Sequence, residues 1–312
     1  VSSSRSEPVD LSVQVGSLAL PNPIMPASGT AGHSTELAGY VDLGSLGAFV
    51  AKSLSDEPWA GNPPVRVHQT PAGMINSVGL QGPGVAAWLR DDLPQLVAAG
   101  VQRTVVSLWG RTIEDYAIAA SMLADAPPEI VAMEINLSCP NLDGGRHLFA
   151  HDPEVAALVV DACAIGGLPR WAKLSPNTHR TVEVAAAVHE AGAEAVTLTN
   201  TVMGMVIDVE TRRPVLGGGA GGMSGPAIRP VAMKAVYDCY AAHPEIPILG
   251  VGGVASARDA VEFMLAGASA VQVGTASFAE PRSTARILDG LARWCQDHGI
   301  ARVTELIGGA HG

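Results

Sequence analysis

Eight short apolar runs recur along this chain, each followed by a stretch whose apolar residues return at helical spacing, and no other feature limits its fold so strongly. The runs span 23–27, 48–53, 103–109, 131–138, 171–175, 195–200, 246–252 and 270–274. The helical stretches span 34–40, 85–99, 113–124, 153–164, 182–191, 226–242, 257–266 and 283–298. Near-continuous apolar strands belong to sheets covered on both faces. Eight strand–helix units is the count of a (β/α)8 TIM barrel. A doubly wound open sheet is the competing α/β fold; the roughly even spacing and the count of eight favour the barrel.

Two segments interrupt the alternation. Residues 55–84 are a Pro- and Gly-rich excursion after the second strand, and 201–225 follow the sixth, ending in Gly217-Gly218-Gly219-Ala220-Gly221-Gly222. Loops this long in a compact domain are usually functional or disordered. Both lie on the strand-to-helix side, the active face of a barrel, and read as cover over a site rather than as separate domains. Residues 11–312 are therefore expected to form one barrel domain and 1–10 a flexible tail.

The formal net charge of −11 argues against a nucleic-acid surface. Cys139, Cys163, Cys239 and Cys295 form no C-x-x-C pair, so neither zinc nor an iron–sulfur cluster is expected in this chain. His33, His68, His147, His151 and His179 lack helical H-x-x-x-H spacing, and no metal site is expected from them. Nothing resembles a signal peptide or a membrane span, which points to a cytoplasmic protein with neither membrane nor nucleic acid as partner.

In a barrel the C-terminal strand ends converge. Here they carry Ala27-Ser28-Gly29, Lys52-Ser53, Ser107, Asn136 with Ser138, Cys139 and Asn141, Lys173, Asn200-Thr201, Gly252-Gly253 and Gly274-Thr275. Pro140 cannot donate to a ladder, so the fourth strand should stop near Cys139 and leave its thiol at the mouth. Alone, such a Cys reads as a small core residue. Lys52 and Lys173 sit inside apolar runs, and a buried lysine asks for an anion. Glycine pairs after strands seven and eight, with Ser224-Gly225 before a helix, let backbone N–H groups approach a phosphate, though tight turns would also use them. Together these residues suggest a phosphate-anchored cofactor across the mouth, a lysine on either side and a thiol–amide patch at its reactive edge.

The motifs resemble the flavin-dependent dihydroorotate dehydrogenases, specifically the catalytic subunit of class 1B. They include Asn22-Pro23-Ile24-Met25-Pro26-Ala27-Ser28-Gly29-Thr30, Gly61-Asn62-Pro63-Pro64 and Gly73-Met74-Ile75-Asn76-Ser77-Val78-Gly79-Leu80-Gln81. They continue with Asn136-Leu137-Ser138-Cys139-Pro140-Asn141, Lys173-Leu174-Ser175-Pro176-Asn177, Thr199-Asn200-Thr201, Gly222-Met223-Ser224-Gly225-Pro226 and Val273-Gly274-Thr275. The resemblance implies FMN held by Ala27, Ser28, Gly29, Lys52, Ser53, Ser107, Asn136, Lys173, Thr199, Gly225, Gly252, Gly253, Gly274 and Thr275. It implies a substrate held by Lys52, Asn76, Gly79, Leu80, Asn136, Asn141, Asn200 and Thr201. The implied reaction is oxidation of (S)-dihydroorotate to orotate in de novo pyrimidine (UMP) biosynthesis. Cys139 would be the base, Ser138 would orient the site, and Lys173 would stabilise the reduced flavin.

The resemblance further implies a homodimer, and a heterotetramer with a second subunit that carries FAD and a [2Fe–2S] cluster and passes electrons to NAD. This chain has no G-x-G-x-x-G fingerprint between a strand and a helix, so it is not expected to use NAD by itself. It departs from the family pattern at Ala31-Gly32-His33, where an aromatic-Gly-aromatic element is usual, and at Ser107, where an Asn is usual. Two other readings are an FMN-dependent oxidoreductase of another dihydropyrimidine or orotate-like ring, and a non-enzymatic barrel that binds a phosphorylated ligand.

Overall fold

The computed structural model describes residues 8–138 and 149–312. Cys139 and Asn141 lie outside the described residues. Eight strands form one parallel sheet: β1 (Ile24–Pro26), β2 (Phe49–Val50), β3 (Thr104–Leu108), β4 (Ile130–Asn136), β5 (Arg170–Lys173), β6 (Ala195–Leu198), β7 (Ile248–Val251) and β8 (Ala270–Val273). Their order is β1-β8-β7-β6-β5-β4-β3-β2. The seam between β1 and β2 is drawn together by Gly47 N–H, which donates to Ile24 O at 2.9 Å. This is the barrel that the alternation of runs anticipates. Every residue of β3, β6, β7 and β8 is buried, as expected when side chains fill the inside and helices cover the outside.

The strands are shorter than the apolar runs. β2 keeps only Phe49–Val50 in the ladder, and Lys52 and Ser53 lie past its end. β6 stops at Leu198, which leaves Thr199, Asn200 and Thr201 at the mouth.

Two helical expectations fail for local reasons. Residues 34–40 form turns, followed by a 3-10 turn at Leu43–Ser45. The stretch is bounded by Gly32 and Gly39 and gives too few hydrogen bonds to offset helix nucleation. The stretch 85–99 splits into Val85–Asp91 and Leu93–Ala98. Pro94 has no N–H to continue the first helix and is tolerated only in the opening turn of the second.

The two long excursions are neither separate nor loop-like. Val67–Thr70, Gly73–Asn76, Gly221–Ser224 and Val202–Gly204 form a four-stranded antiparallel sheet, in which Asn76 is opposite Gly222 and Ser224 opposite Met74. Segments about 150 residues apart in sequence thus lock together over the mouth. Glycine at 222 leaves room there, since an added Cβ would collide with the Thr201 side chain.

The opposite end of the barrel has its own closure. The hairpin Val13–Val15/Leu18–Leu20 alternates buried and exposed residues. Ser17 N–H donates to Glu194, just before β6, at 2.7 Å. Asp10 is tied in as well: its N–H donates to Ala301 O at 2.9 Å, and its carbonyl accepts from Val303 N–H at 2.8 Å.

Candidate active site

The polar residues at the mouth divide into two sets at different depths. The deeper set comes from four strands. Glu134 on β4 is fully buried inside an otherwise apolar run, and one of its oxygens lies 3.4 Å from the Lys173 ammonium on β5. The other accepts from Thr197 Oγ1 on β6 at 3.1 Å and from Gln272 Nε2 on β8 at 2.7 Å. The anion that a buried Lys173 calls for is thus supplied by the chain itself. The sequence reasoning passed over Glu134, Thr197 and Gln272. Glu134 and Gln272 carried a signal, each being a hydrophilic residue within a buried-strand pattern.

The shallower set is a hydrogen-bonded arc across the strand ends. Ser28 Oγ donates to Ala51 O at 3.0 Å and sits 3.4 Å from Ser53 Oγ, which is 2.8 Å from Ser107 Oγ. Asn136 Nδ2 donates to Ser53 Oγ at 3.3 Å. The Asn136 carboxamide oxygen accepts from Asn200 Nδ2 at 3.0 Å and from Ser138 N–H at 3.2 Å. Tyr116 OH donates to Asn136 O at 2.6 Å and fixes the strand end from the helix side. Asn177 continues the arc, donating to Thr201 O at 3.0 Å and accepting from Met203 N–H at 2.9 Å. Asn177 and Tyr116 were not singled out from sequence as site residues; polar side chains beyond a strand end have no periodicity to mark them. Ser107 engages Ser53 directly, so the departure from Asn at this position is absorbed within the arc.

Lys52 differs from Lys173. It is half-buried, its ammonium donates to Gln81 O, and among the described residues it makes no ion pair. Burial first, then the nearby Arg66 guanidinium, push its pKa below the ordinary lysine value. Arg66 is held on the same loop by Asn62 O at 2.6 Å and by the Gln81 side chain. Leu80, next to Gln81, has φ 60, a left-handed conformation that a leucine adopts only when its surroundings enforce it. Asn76 lies on the cover sheet, where its side chain donates to Gly222 O of the neighbouring strand at 3.3 Å.

At the ends of β7 and β8 the glycines have two different causes. Gly253 has φ 79, and a Cβ there would come within 2.7 Å of Arg229 Cβ at the start of helix Arg229–Ala242, so the fold alone demands glycine. Gly274 meets no such obstacle: an added Cβ would make only ordinary contacts, 3.6 Å from Ala27 and 3.7 Å from Thr30. Thr275 Oγ1 donates to Ser224 Oγ at 2.8 Å, joining the end of β8 to the approach to Gly225. Ala27 N–H donates to Val273 O at 2.8 Å, bringing Ala27, Ser28 and Gly29 beside Gly274.

Several polar atoms around the mouth have no hydrogen-bond partner among the described residues. They are the hydroxyls of Ser138 and Thr199, and Nε2 of His33. Burial first, then the positive charge of Lys52, push the pKa of His33 down to about 4, so its ring is neutral near pH 7.

Among the described residues no group of three or more His, Cys, Asp or Glu is placed to hold a metal ion, and no helix is long and apolar enough to cross a membrane. The fold is a (β/α)8 barrel whose mouth carries an amide–hydroxyl arc and a lysine, Lys52, that makes no ion pair among the described residues. The chain matches the dihydroorotate dehydrogenase family over residues 10–294, and it belongs to that family. It is 48% identical to the "Dihydroorotate dehydrogenase B (NAD(+)), catalytic subunit" of Trichlorobacter lovleyi, over 97% of this chain and 99% of that protein. It is similar to the proteins of the same description from Pelobacter propionicus, at 46% over 96% of this chain and 98% of that protein, and from Desulforudis audaxviator, at 48% over 97% and 98%.

Proposed function

We propose that this chain is the FMN-binding catalytic subunit of a class 1B enzyme that oxidises (S)-dihydroorotate to orotate in pyrimidine biosynthesis. The observation that carries the reading is Lys52, a half-buried ammonium just past the end of β2 that makes no ion pair among the described residues, at the same barrel mouth as the hydrogen-bonded carboxamides of Asn136 and Asn200. Dihydroorotate supplies what these groups lack. Its carboxylate pairs with Lys52, and its ring N–H and C=O groups suit Asn76, Asn136, Asn141 and Asn200, whose side chains both donate and accept.

The residues fit FMN. At the phosphate end stand the backbone around Gly225, Gly252-Gly253 and Gly274-Thr275, beside the N-terminus of the 14-residue helix Arg229–Ala242. Gly274, where the chain itself has no need of glycine, fits the close approach of a ligand. At the ring end stand Ala27, Ser28, Gly29, Lys52, Ser53, Ser107, Asn136 and Lys173, together with the unpartnered hydroxyl of Thr199. FMN bound there supplies the hydride acceptor. Loss of two hydrogens from dihydroorotate takes a proton from C5 and a hydride from C6. Cys139, as thiolate, accepts the C5 proton. The Ser138 hydroxyl and the amides hold the ring and carboxylate in line. The cover sheet, with Gly79 and Leu80 on its connecting loop, keeps water from the reacting carbons.

A second subunit carrying FAD and a [2Fe–2S] cluster would take up the electrons, and a homodimer of this chain with two such subunits would make the heterotetramer. The relatives' own description as catalytic subunits of NAD(+)-type enzymes supports this division. The test is anaerobic. Dihydroorotate should bleach the flavin of the purified chain, dihydrouracil should not, and NAD as sole acceptor should give no NADH. Bleaching by dihydrouracil alone would overturn the substrate, and steady NADH production by the single chain would overturn the division of labour.

A further inference from the structure

The Lys173–Glu134 pair has both side chains under a tenth exposed, at 8% and 0%, unlike every other ion pair of the described residues. A buried ion pair is a poor way to fill a barrel; apolar residues of similar volume are often as stabilising or more so. A cation needed only for its charge would require no carboxylate beside it. The pair has a geometry that neither purpose explains. The Glu134 carboxylate is tethered by Thr197 at 3.1 Å and Gln272 at 2.7 Å, so it cannot swing away from the lysine. By register Lys173 is level with Asn136, two residues nearer the mouth than Glu134. The result is a fixed ion pair across β4 and β5, its lysine rooted level with the site residue Asn136 and its glutamate rooted two residues deeper.

We propose that Glu134 is a positioning residue that anchors the Lys173 ammonium and offsets part of its charge, thereby holding down the reduction potential of the bound flavin. This rests on the reading above that Lys173 faces FMN. Reduction adds negative charge to the flavin. The Lys173 cation favours that change and the Glu134 anion opposes it, in a water-poor interior where such charges act strongly. The potential is then set by the difference between two opposed charges rather than by the lysine alone.

The test is the midpoint potential of the flavin-loaded protein, measured by anaerobic equilibration with a two-electron reference dye near pH 6.5. Lys173→Met should make the flavin harder to reduce and Glu134→Gln easier, each by about tenfold in the equilibrium constant, or about 30 mV for a two-electron couple. The double variant, in which both charges are gone, should return to within about threefold of the parent protein, as opposed charges cancel. A merely structural role for Glu134 would not produce opposite shifts that cancel. A potential unmoved or lowered in Glu134→Gln, with Lys173→Met lowered, overturns the proposal and leaves the flavin-side reading of Lys173 intact. A potential unmoved in Lys173→Met overturns that reading and the proposal with it. Should Glu134→Gln fail to fold, the double variant, which buries no unpaired charge, decides: a value near the parent protein supports the proposal, and one near Lys173→Met overturns it.

Discussion

The barrel interior and the barrel mouth each hold a lysine, and the two are treated in opposite ways. Lys173, inside, is paired with a buried carboxylate that is itself tied to two further strands. Lys52, at the mouth, donates to a carbonyl oxygen and makes no ion pair among the described residues; burial and the Arg66 guanidinium make its charge costly, and the more distant Glu36 carboxylate offsets this only in part. A cation satisfied within the fold contributes to the architecture and the electrostatic background. A cation left unsatisfied at a rim is poised for an anionic ligand. Both are lysines close to the C-terminal end of a barrel strand, so the surroundings separate the roles.

The comparison breaks if mouth and interior variants fail in the same way. The largest expected effect is at the mouth. Cys139→Ala should slow flavin reduction by dihydroorotate by about 10²–10⁴-fold, the usual contribution of a positioned acid or base, and leave the urea midpoint unchanged. Stopped-flow traces close to those of the parent protein would end its assignment as base.

Next comes the interior. Lys173→Met leaves Glu134 buried without its counter-ion, and unfolding free energy should fall by about 3–5 kcal/mol. A urea titration showing less than about 1 kcal/mol would mean that the pair is not the structural element its burial implies.

Lys52→Met sharpens the contrast. Stability should change little, while orotate binding weakens by roughly 1.5–3 kcal/mol, the worth of a hydrogen bond to a charged group. Uracil, which lacks the carboxylate, should bind nearly as before; equal weakening of both would remove the carboxylate role. The pH dependence has a definite sign. The folded protein releases the Lys52 proton at lower pH than the unfolded chain does. This group therefore makes stability rise with pH between its lowered value and the ordinary lysine value. Orotate binding, which needs the ammonium, runs the other way and should weaken as pH rises through the lowered value. A flavin-perturbation titration showing constant affinity up to the ordinary lysine range would contradict this.

The smallest effect belongs to His33. With its pKa at about 4 in the folded protein, against 6.5 for the free side chain, it contributes stability that is full above 6.5 and is lost as pH falls through about 4. His33→Phe restores the aromatic character usual in the family and removes that titration. The drop in urea midpoint between pH 7 and pH 4.5 should be smaller in the variant than in the parent protein. Identical drops would place the acid sensitivity elsewhere.

Much of the architecture was legible in the chain itself, because eight apolar runs, each followed by a helical stretch, leave few ways to be buried on both faces. The strand-end residues were legible for a related reason: in Lys52-Ser53, Asn136 and Asn200-Thr201, polar groups begin where each run stops. Local chemistry also accounts for the departures in helix boundaries, since Pro94, Gly32 and Gly39 act on their immediate neighbours. What the sequence could not specify by itself was pairing at a distance. The segments around Asn76 and Gly222 read as two loops, because each makes only a short antiparallel pair by itself and the four-stranded sheet exists only when the two distant pairs join. Lys52 and Lys173 read alike, because the carboxylate that distinguishes them sits on a different strand from either. Only closure of the barrel brings Glu134, Lys173, Thr197 and Gln272 within hydrogen-bonding reach, and in a dry interior a few ångströms decide whether a buried charge is paired or waits for a ligand.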